Sequence, residues 1–405
     1  MNKYDVIIIG GRCAGASLAL RLAGNDLKVL LVDRAIFPSL PSVPSAPFIH
    51  PGTMRLLDEL GIPESEYTHV GGKIERFVVA NFENFFLAEM PTSRMKLDRN
   101  YFQGIDRYLF DETLWKHAAR VAGVVAREGF SVMQILKDEA GTVNGISGKT
   151  GERPQESFTA DLVIGADGRF SFSARQFGAK VIEEQNQFTS AAYYADWENV
   201  DDYSPDHPHA ISTYTASQGF MLLVIPVAER KYAIATVMKS SDAHFGAQVE
   251  TAYLEGLQRA PHLWHRLKNA KRVTEIVGMR PIENGYREAF GANWALVGDA
   301  VHYKDPSDGQ GIYDALLESK LLAEAILDWK NGTHWAVAGA RYQQELIETT
   351  HPTFVKTVAN VKQTLYTNIP GFLLKTLVRW VTSYPNFQTQ FLRTLARATH
   401  RKAQS

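Results

Sequence analysis

The chain has 405 residues, 45% of them hydrophobic, with 43 basic and 44 acidic side chains and a formal net charge of −1. That length and composition exclude a disordered chain or a small stapled domain, and the balanced charge argues against nucleic acid as a partner. A single cysteine, Cys13, allows no internal disulfide and no Cys/His array for a metal, which suits a reducing, cytoplasmic setting.

Residues 4–34 begin with a β-branched run, turn through glycines, and continue as a small-residue helix predicted over Cys13 to Ala23. A second apolar run, Val29 to Val32, ends in Asp33. Strand, glycine turn, helix, strand and acid in this order form a βαβ dinucleotide unit. Gly10, Gly11, Arg12, Cys13, Ala14 and Gly15 make the turn at the helix N-terminus. Asp33, eighteen residues after Gly15, suits ribose hydroxyls, with Arg34 beside it. Arg12 stands where the fingerprint has its second glycine, and its guanidinium is expected within reach of a pyrophosphate. Cys13 reads as a small packing residue, although a helix N-terminus also lowers a thiol pKa.

The proline-rich stretch Phe37 to Pro51 reads as a long loop carrying His50, whose titration range suits an acid, a base or an anion partner. Strand-like runs follow at Arg76 to Asn81 and Phe86 to Met90, then a helix over Tyr108 to Val121 opened by Arg107. Three runs between Phe130 and Ile164 form a meander that leads to Asp167, Gly168 and Arg175. Four more runs within residues 187–239 predict an antiparallel sheet. Tyr193, Tyr214, Phe220 and Met221 are its candidate pocket residues, with plain core as the alternative. Finally, a buried strand ends at Gly298-Asp299 and passes through Pro306, Gly309, Gln310 and Gly311 into a helix. Within that loop Lys304 is a candidate catalytic residue, or with Asp305 a salt-bridged staple, and His302 orders the turn.

The N-terminal unit, the Asp167-Gly168 motif and the Gly298-Asp299 motif together resemble the FAD-dependent class A monooxygenases of the para-hydroxybenzoate hydroxylase type. Arg12, the loop PSAPFIHPGT and the triplet Lys304 to Pro306 look closest to one poorly characterised branch of them. The resemblance implies an α/β fold: a Rossmann-like FAD-binding domain with an inserted β-meander, an antiparallel-sheet substrate domain and C-terminal helices. Its implied boundaries are 1–75, 98–180 and 273–330 for FAD, 76–97 and 181–272 for substrate, and 331–405 for the helical region. It also implies non-covalent FAD, NAD(P)H as a transient reductant, and O2 with a small organic substrate that is hydroxylated or epoxidised. By the same likeness Asp299 binds ribityl hydroxyls, Arg107 contacts flavin, and Tyr313 stands where Asn is usual. The fold also serves geranylgeranyl-reductase-like enzymes and flavin-dependent halogenases. The halogenase segment W-x-W-x-I-P reads GFMLLVIPV here, without either tryptophan, which argues against halogenation. A carbon-carbon double-bond reductase and a non-catalytic flavin-binding protein stay open as alternatives.

No apolar run reaches the roughly eighteen residues of a spanning helix. After Glu348 the chain has eight basic residues and no acid, leaving residues 1–348 with nine more acids than bases. Residues 371–387 combine Phe, Leu, Val and Trp with Lys375 and Arg379, the composition of an interfacial helix. Peripheral membrane contact is one reading of this tail. Packing of its apolar face on the acidic body is the other, and the favoured one.

Overall fold

The computed structural model describes residues 2–81, 87–216 and 219–397. The strand Asn2–Ile9 lies at the centre of the first sheet, parallel to Val29–Val32 on one side and to Glu156–Gly165 on the other. Val124–Arg127 extends the sheet beyond the second strand, and Trp294–Leu296 extends it beyond the third, again in parallel. Residues buried on both faces explain the near-continuous Val, Ile and Leu of these strands. The hairpin Phe130–Lys137 and Val143–Thr150 attaches antiparallel to Glu156–Gly165, which is the inserted meander.

Two glycines are required by geometry. Gly10 has φ +108°, and a Cβ there would meet the Ala166 carbonyl oxygen at 2.3 Å. A Cβ on Gly15 would lie 1.8 Å from the Gly10 oxygen, so the helix Cys13–Leu22 could not start so close to the strand. That helix packs against Gly311–Lys330, with Ser17 and Ser319 hydroxyls 2.7 Å apart at the contact.

The second large sheet joins Ser190–Glu198, Lys231–Lys239, Phe220–Ala228, Ala210–Ala216, Arg76–Asn81 and Leu87–Pro91, in that order. Its pairings are antiparallel except that Ala210–Ala216 runs parallel to Arg76–Asn81, because the connection between them passes through the first sheet. Phe86, expected to open the neighbouring strand, lies outside the described residues. Val277–Ile282, placed by the boundary at 273 in the FAD-binding part, instead pairs with Ser190–Glu198 in this second sheet.

From residue 335 the described chain is helical for long stretches. Trp335–Val361 continues through Pro352, followed by Gly371–Ser383 and Pro385–Leu395. Of the eight tail cations, Arg401 and Lys402 lie outside the described residues.

Candidate cofactor and substrate site

The parallel pairing of Glu156–Gly165 with Trp294–Leu296 sets the Asp167 and Asp299 turns side by side at the carboxyl ends of the strands. That is the edge of an open α/β sheet where ligands bind. Arg169 joins the two turns: its Nη1 donates to the Glu283 carbonyl at 2.7 Å, its Nη2 to the Lys304 carbonyl, and its Nε lies 3.8 Å from Asp299.

The helix Cys13–Leu22 begins at Arg12 without a side-chain cap, so its first N–H groups are free to meet an anion. The Arg12 guanidinium, however, is committed elsewhere. It donates to the Asp111 carboxylate at 2.5 Å, to the Ser39 carbonyl at 3.0 Å and hydroxyl at 2.8 Å, and to the Leu40 carbonyl at 2.9 Å. Arg107 clamps the same acid through Nε and Nη2 at 3.0–3.2 Å and donates to the Ser45 hydroxyl at 2.8 Å. Cys13 sits against both, 3.5 Å from Asp111 and 3.8 Å from Arg107. Burial pushes its thiol up to about 12, so it is a packing residue.

Asp33 accepts from Gly11 N–H at 2.6 Å and Ala35 N–H at 2.7 Å, one bond on each oxygen. Each oxygen keeps a lone pair for a ribose hydroxyl, and Arg34 beside it is exposed. Asp167 is used locally: it accepts from the Ser171 hydroxyl at 2.5 Å and from Ser173 N–H at 2.9 Å, holding the start of Phe172–Phe177. Gly168, next to it, faces open space, and Arg175 is exposed.

Asp299 differs from these acids. Its side chain is 40% exposed, with Arg169 as its near cation. Enclosure raises its carboxyl above the usual range while Arg169 and Lys304 pull it back. Gly298, at φ +65°, donates its N–H at 2.8 Å to Glu318, a buried acid that the His302 imidazole also meets at 2.9 Å. Burial is the first cause driving His302 well below its usual pKa and Glu318 well above.

The loop from Pro306 ends at the helix Gly311–Lys330, whose Gln310 N-cap supplies no side-chain bond. A Cβ on Gly311 would meet nothing within 4 Å. An uncapped helix N-terminus, open space at Gly311, and a half-exposed acid at the adjoining strand end fit a dinucleotide with hydroxyl groups between its halves. Gln310 itself faces the tail, accepting from Arg397 Nε at 2.7 Å and donating to the Leu395 carbonyl at 3.2 Å. Gly309, at φ +65°, packs on Phe48.

The two residues expected to be catalytic have other roles. His50 is fully buried and caps the helix Pro51–Glu59, its Nδ1 accepting from Thr53 N–H at 3.4 Å. Burial, reinforced by Arg397 and Arg55, pushes its pKa down to about 3, so it stays neutral. Lys304 donates to Asp308 at 2.5 Å and is ion-paired with Asp314 at 3.1 Å. Burial alone would lower its pKa; the two acids outweigh it and hold the ammonium charged, the staple reading. Tyr313 lies between His50 and Arg397, about 5.0 Å from each.

The pocket expectation divides by strand parity. Tyr193, Tyr214 and Phe220 share the outer face of the second sheet, packed under Gln248–Gln258 and Pro261–Arg266. Tyr193 donates to the His244 carbonyl at 2.7 Å, and Tyr214 meets His262 at 3.1 Å. Met221, of opposite parity, lies on the inner face with Val43 and Tyr366. Registered cross-strand pairs place Tyr194, Ala235, Leu223, Thr213 and Val79 in one row of that inner face. Four of the five are only partly buried, while Phe48, Phe102 and Leu392 close the row's surroundings. Burial, then Asp196, raises the Tyr194 phenol well above its usual pKa, so it remains protonated.

Sequence reasoning missed Asp111, Glu318 and Arg397. Asp111 falls four residues after Arg107 on the face carrying Phe110, Leu114 and Trp115; Glu318 falls four after Asp314 on the buried face of its helix. An acid on an apolar stripe was the available signal. No local signal marks Arg397.

Among curated relatives, the pyrrole-2-carbonyl-[peptidyl-carrier protein] chlorinase of Pseudomonas fluorescens is 24% identical, covering 81% of this chain and 76% of its own. An FAD-dependent monooxygenase of Penicillium rubens is 21% identical over 80% of this chain and 68% of its own. The solved structure of a geranylgeranyl bacteriochlorophyll reductase-like protein from Thermoplasma acidophilum superimposes with TM-score 0.80 at 18% identity, covering 99% and 98% of the two chains. At that identity the structural likeness concerns the fold. Residues 3–346 match the model described as the FAD binding domain, and the protein is therefore a flavoenzyme belonging to that FAD-binding family.

Proposed function

We propose that the protein is an NAD(P)H- and O2-dependent FAD monooxygenase that hydroxylates or epoxidises an apolar or aromatic substrate. The observation that carries this reading is the half-buried inner row around Leu223, with Met221 beside it. In the corresponding segment halogenases have tryptophans, where this chain has the smaller Met221 and Leu223. Lys304, closed in by two carboxylates, offers no free ammonium for halide chemistry.

Bound FAD supplies electron transfer from the nicotinamide and the reduction of O2. The chain's share is placement. The N–H groups from Arg12 to Gly15 hold the pyrophosphate, Asp33 the adenine ribose and Asp299 the ribityl hydroxyls. The uncapped N-terminus at Gly311 favours negative charge at the pyrimidine edge. The inner sheet face excludes water and orients substrate, with the Tyr194 and Thr213 hydroxyls as its polar handles. One atom of O2 enters the product and the other leaves as water, with two electrons from NAD(P)H.

The test is turnover under isotopically labelled O2 with candidate phenols and polyenes. One labelled oxygen per product, at one NAD(P)H consumed, is expected. Anaerobic NAD(P)H consumption matched by loss of a double bond sinks it and favours the second reading, a C=C reductase, which the apolar side chains Leu223, Val79 and Met221 of the inner face also suit.

A further inference from the structure

The favoured expectation for the tail, that its apolar face packs on the acidic body, does not hold for the helix Gly371–Ser383. Leu373, Leu377 and Trp380 recur every three or four residues on one face of this helix and are exposed, as are Tyr384 at its end and Phe387 in Pro385–Leu395. Trp380 is 62% exposed and Phe372, at the edge of the same face, 68%. This face is not loosened core, because the segment is anchored by other residues. Leu392 and Ala396 are fully buried with Phe77, Phe102 and Leu223.

We infer that this helix docks the protein in the plane of an anionic bilayer surface. Three observations select that occupant. The outward face joins Trp and Tyr to Leu and Phe, the side chains that settle at the boundary between headgroups and acyl chains. The cations Lys375 and Arg379 lie on the same helix, and the sequence has no acid after Glu348, so the complementary surface is negative. A second copy of the chain would bring like charges together in either orientation. With 13 residues the helix spans about 20 Å, and no described helix is long and apolar enough to cross a membrane, so it lies flat. The inference is independent of the reaction proposed above.

The test uses the full chain with FAD, sedimented with phosphatidylglycerol-rich or pure phosphatidylcholine vesicles. Binding to the anionic vesicles is expected, weakened by salt. Leu377→Asp with Trp380→Asp should lower partitioning at least about tenfold with unchanged FAD content. Lys375→Gln and Arg379→Gln should each cost about fivefold. Retained FAD shows that the variants are folded. Wild type remaining in the supernatant overturns the inference, as does equal binding of the Asp variants. A wild-type dimer that the Asp variants dissociate, without vesicle binding, assigns the face to self-association and overturns it too.

Discussion

Two buried carboxylates flank the cofactor crevice, and each is gripped by two cations. Asp111 holds Arg12 and Arg107; Asp314 holds Lys304 and Arg397. They differ in balance. The first cluster has one acid for two guanidiniums and carries a surplus positive charge beside the N-terminus of Cys13–Leu22. In the second, Asp308 joins Asp314, so charges cancel beside the flavin loop. They differ in reach as well: Asp111 is served from within the first 111 residues, whereas Arg397 meets Asp314 from 83 residues further along the chain. The surplus charge is thus a local arrangement, and the hold on the end of the Pro306–Gln310 loop a distant one.

The strongest way to break this comparison is Asp111→Ala. It leaves two guanidiniums mostly buried without their carboxylate, and unfolding by denaturant should show a loss of about 3–5 kcal/mol. Asp111→Asn should lose less, because its amide oxygen still accepts.

Acid titration probes the tail side, where His50 lies beside Arg397. An unfolded histidine titrates near 6.5, while folded His50 titrates at about 3. Above pH 6.5 both states are neutral and stability is unaffected. Below it the unfolded chain takes up a proton that the folded one refuses, so stability falls with pH down to about 3. Between pH 6.5 and 4.5 the loss is about 2.3 kcal/mol. His50→Asn, which keeps a helix cap, should flatten the pH dependence measured by urea unfolding.

Asp299 feels both clusters, through Arg107 on one side and Lys304 with Asp314 on the other. Asp299→Ala should weaken FAD retention by about 10- to 100-fold, the worth of charge-assisted bonds to ribityl hydroxyls, with little change in apoprotein stability. Full FAD occupancy after purification of that variant removes the assignment. The smallest effect sharpens the comparison most: Asp111→Asn and Arg397→Gln share no partner, so their stability losses should add within about 0.5 kcal/mol. A larger coupling would mean that the clusters act as one unit.

What was legible in the sequence follows the same division. The glycine turn, Asp33, the meander and the Asp299 strand end were readable because each is set by residues close in sequence. The outward placement of Tyr193, Tyr214 and Phe220 was not. Alternation says that Tyr193 and Tyr194 face opposite ways, but only the packing of Gln248–Gln258 decides which way is out. His50 looked titratable because its type suggests it, while its burial comes from Tyr313 and the Ala396–Arg397 end of the tail. The acids Asp111 and Glu318 were hidden by their type, since an acid is expected at a surface unless a partner is visible.

The Arg397 contact also orders events in time. A chain emerging from the ribosome can build the first sheet and the Asp111 clamp once its early strands are out, and Lys304 can find Asp308 and Asp314 soon after. Gln310, Thr353 and Asp314 receive their guanidinium only after synthesis has passed residue 397. A nascent chain halted before that point would hold the Pro306–Gln310 loop without this contact, so the loop takes its final place only at a late stage of the protein's biogenesis.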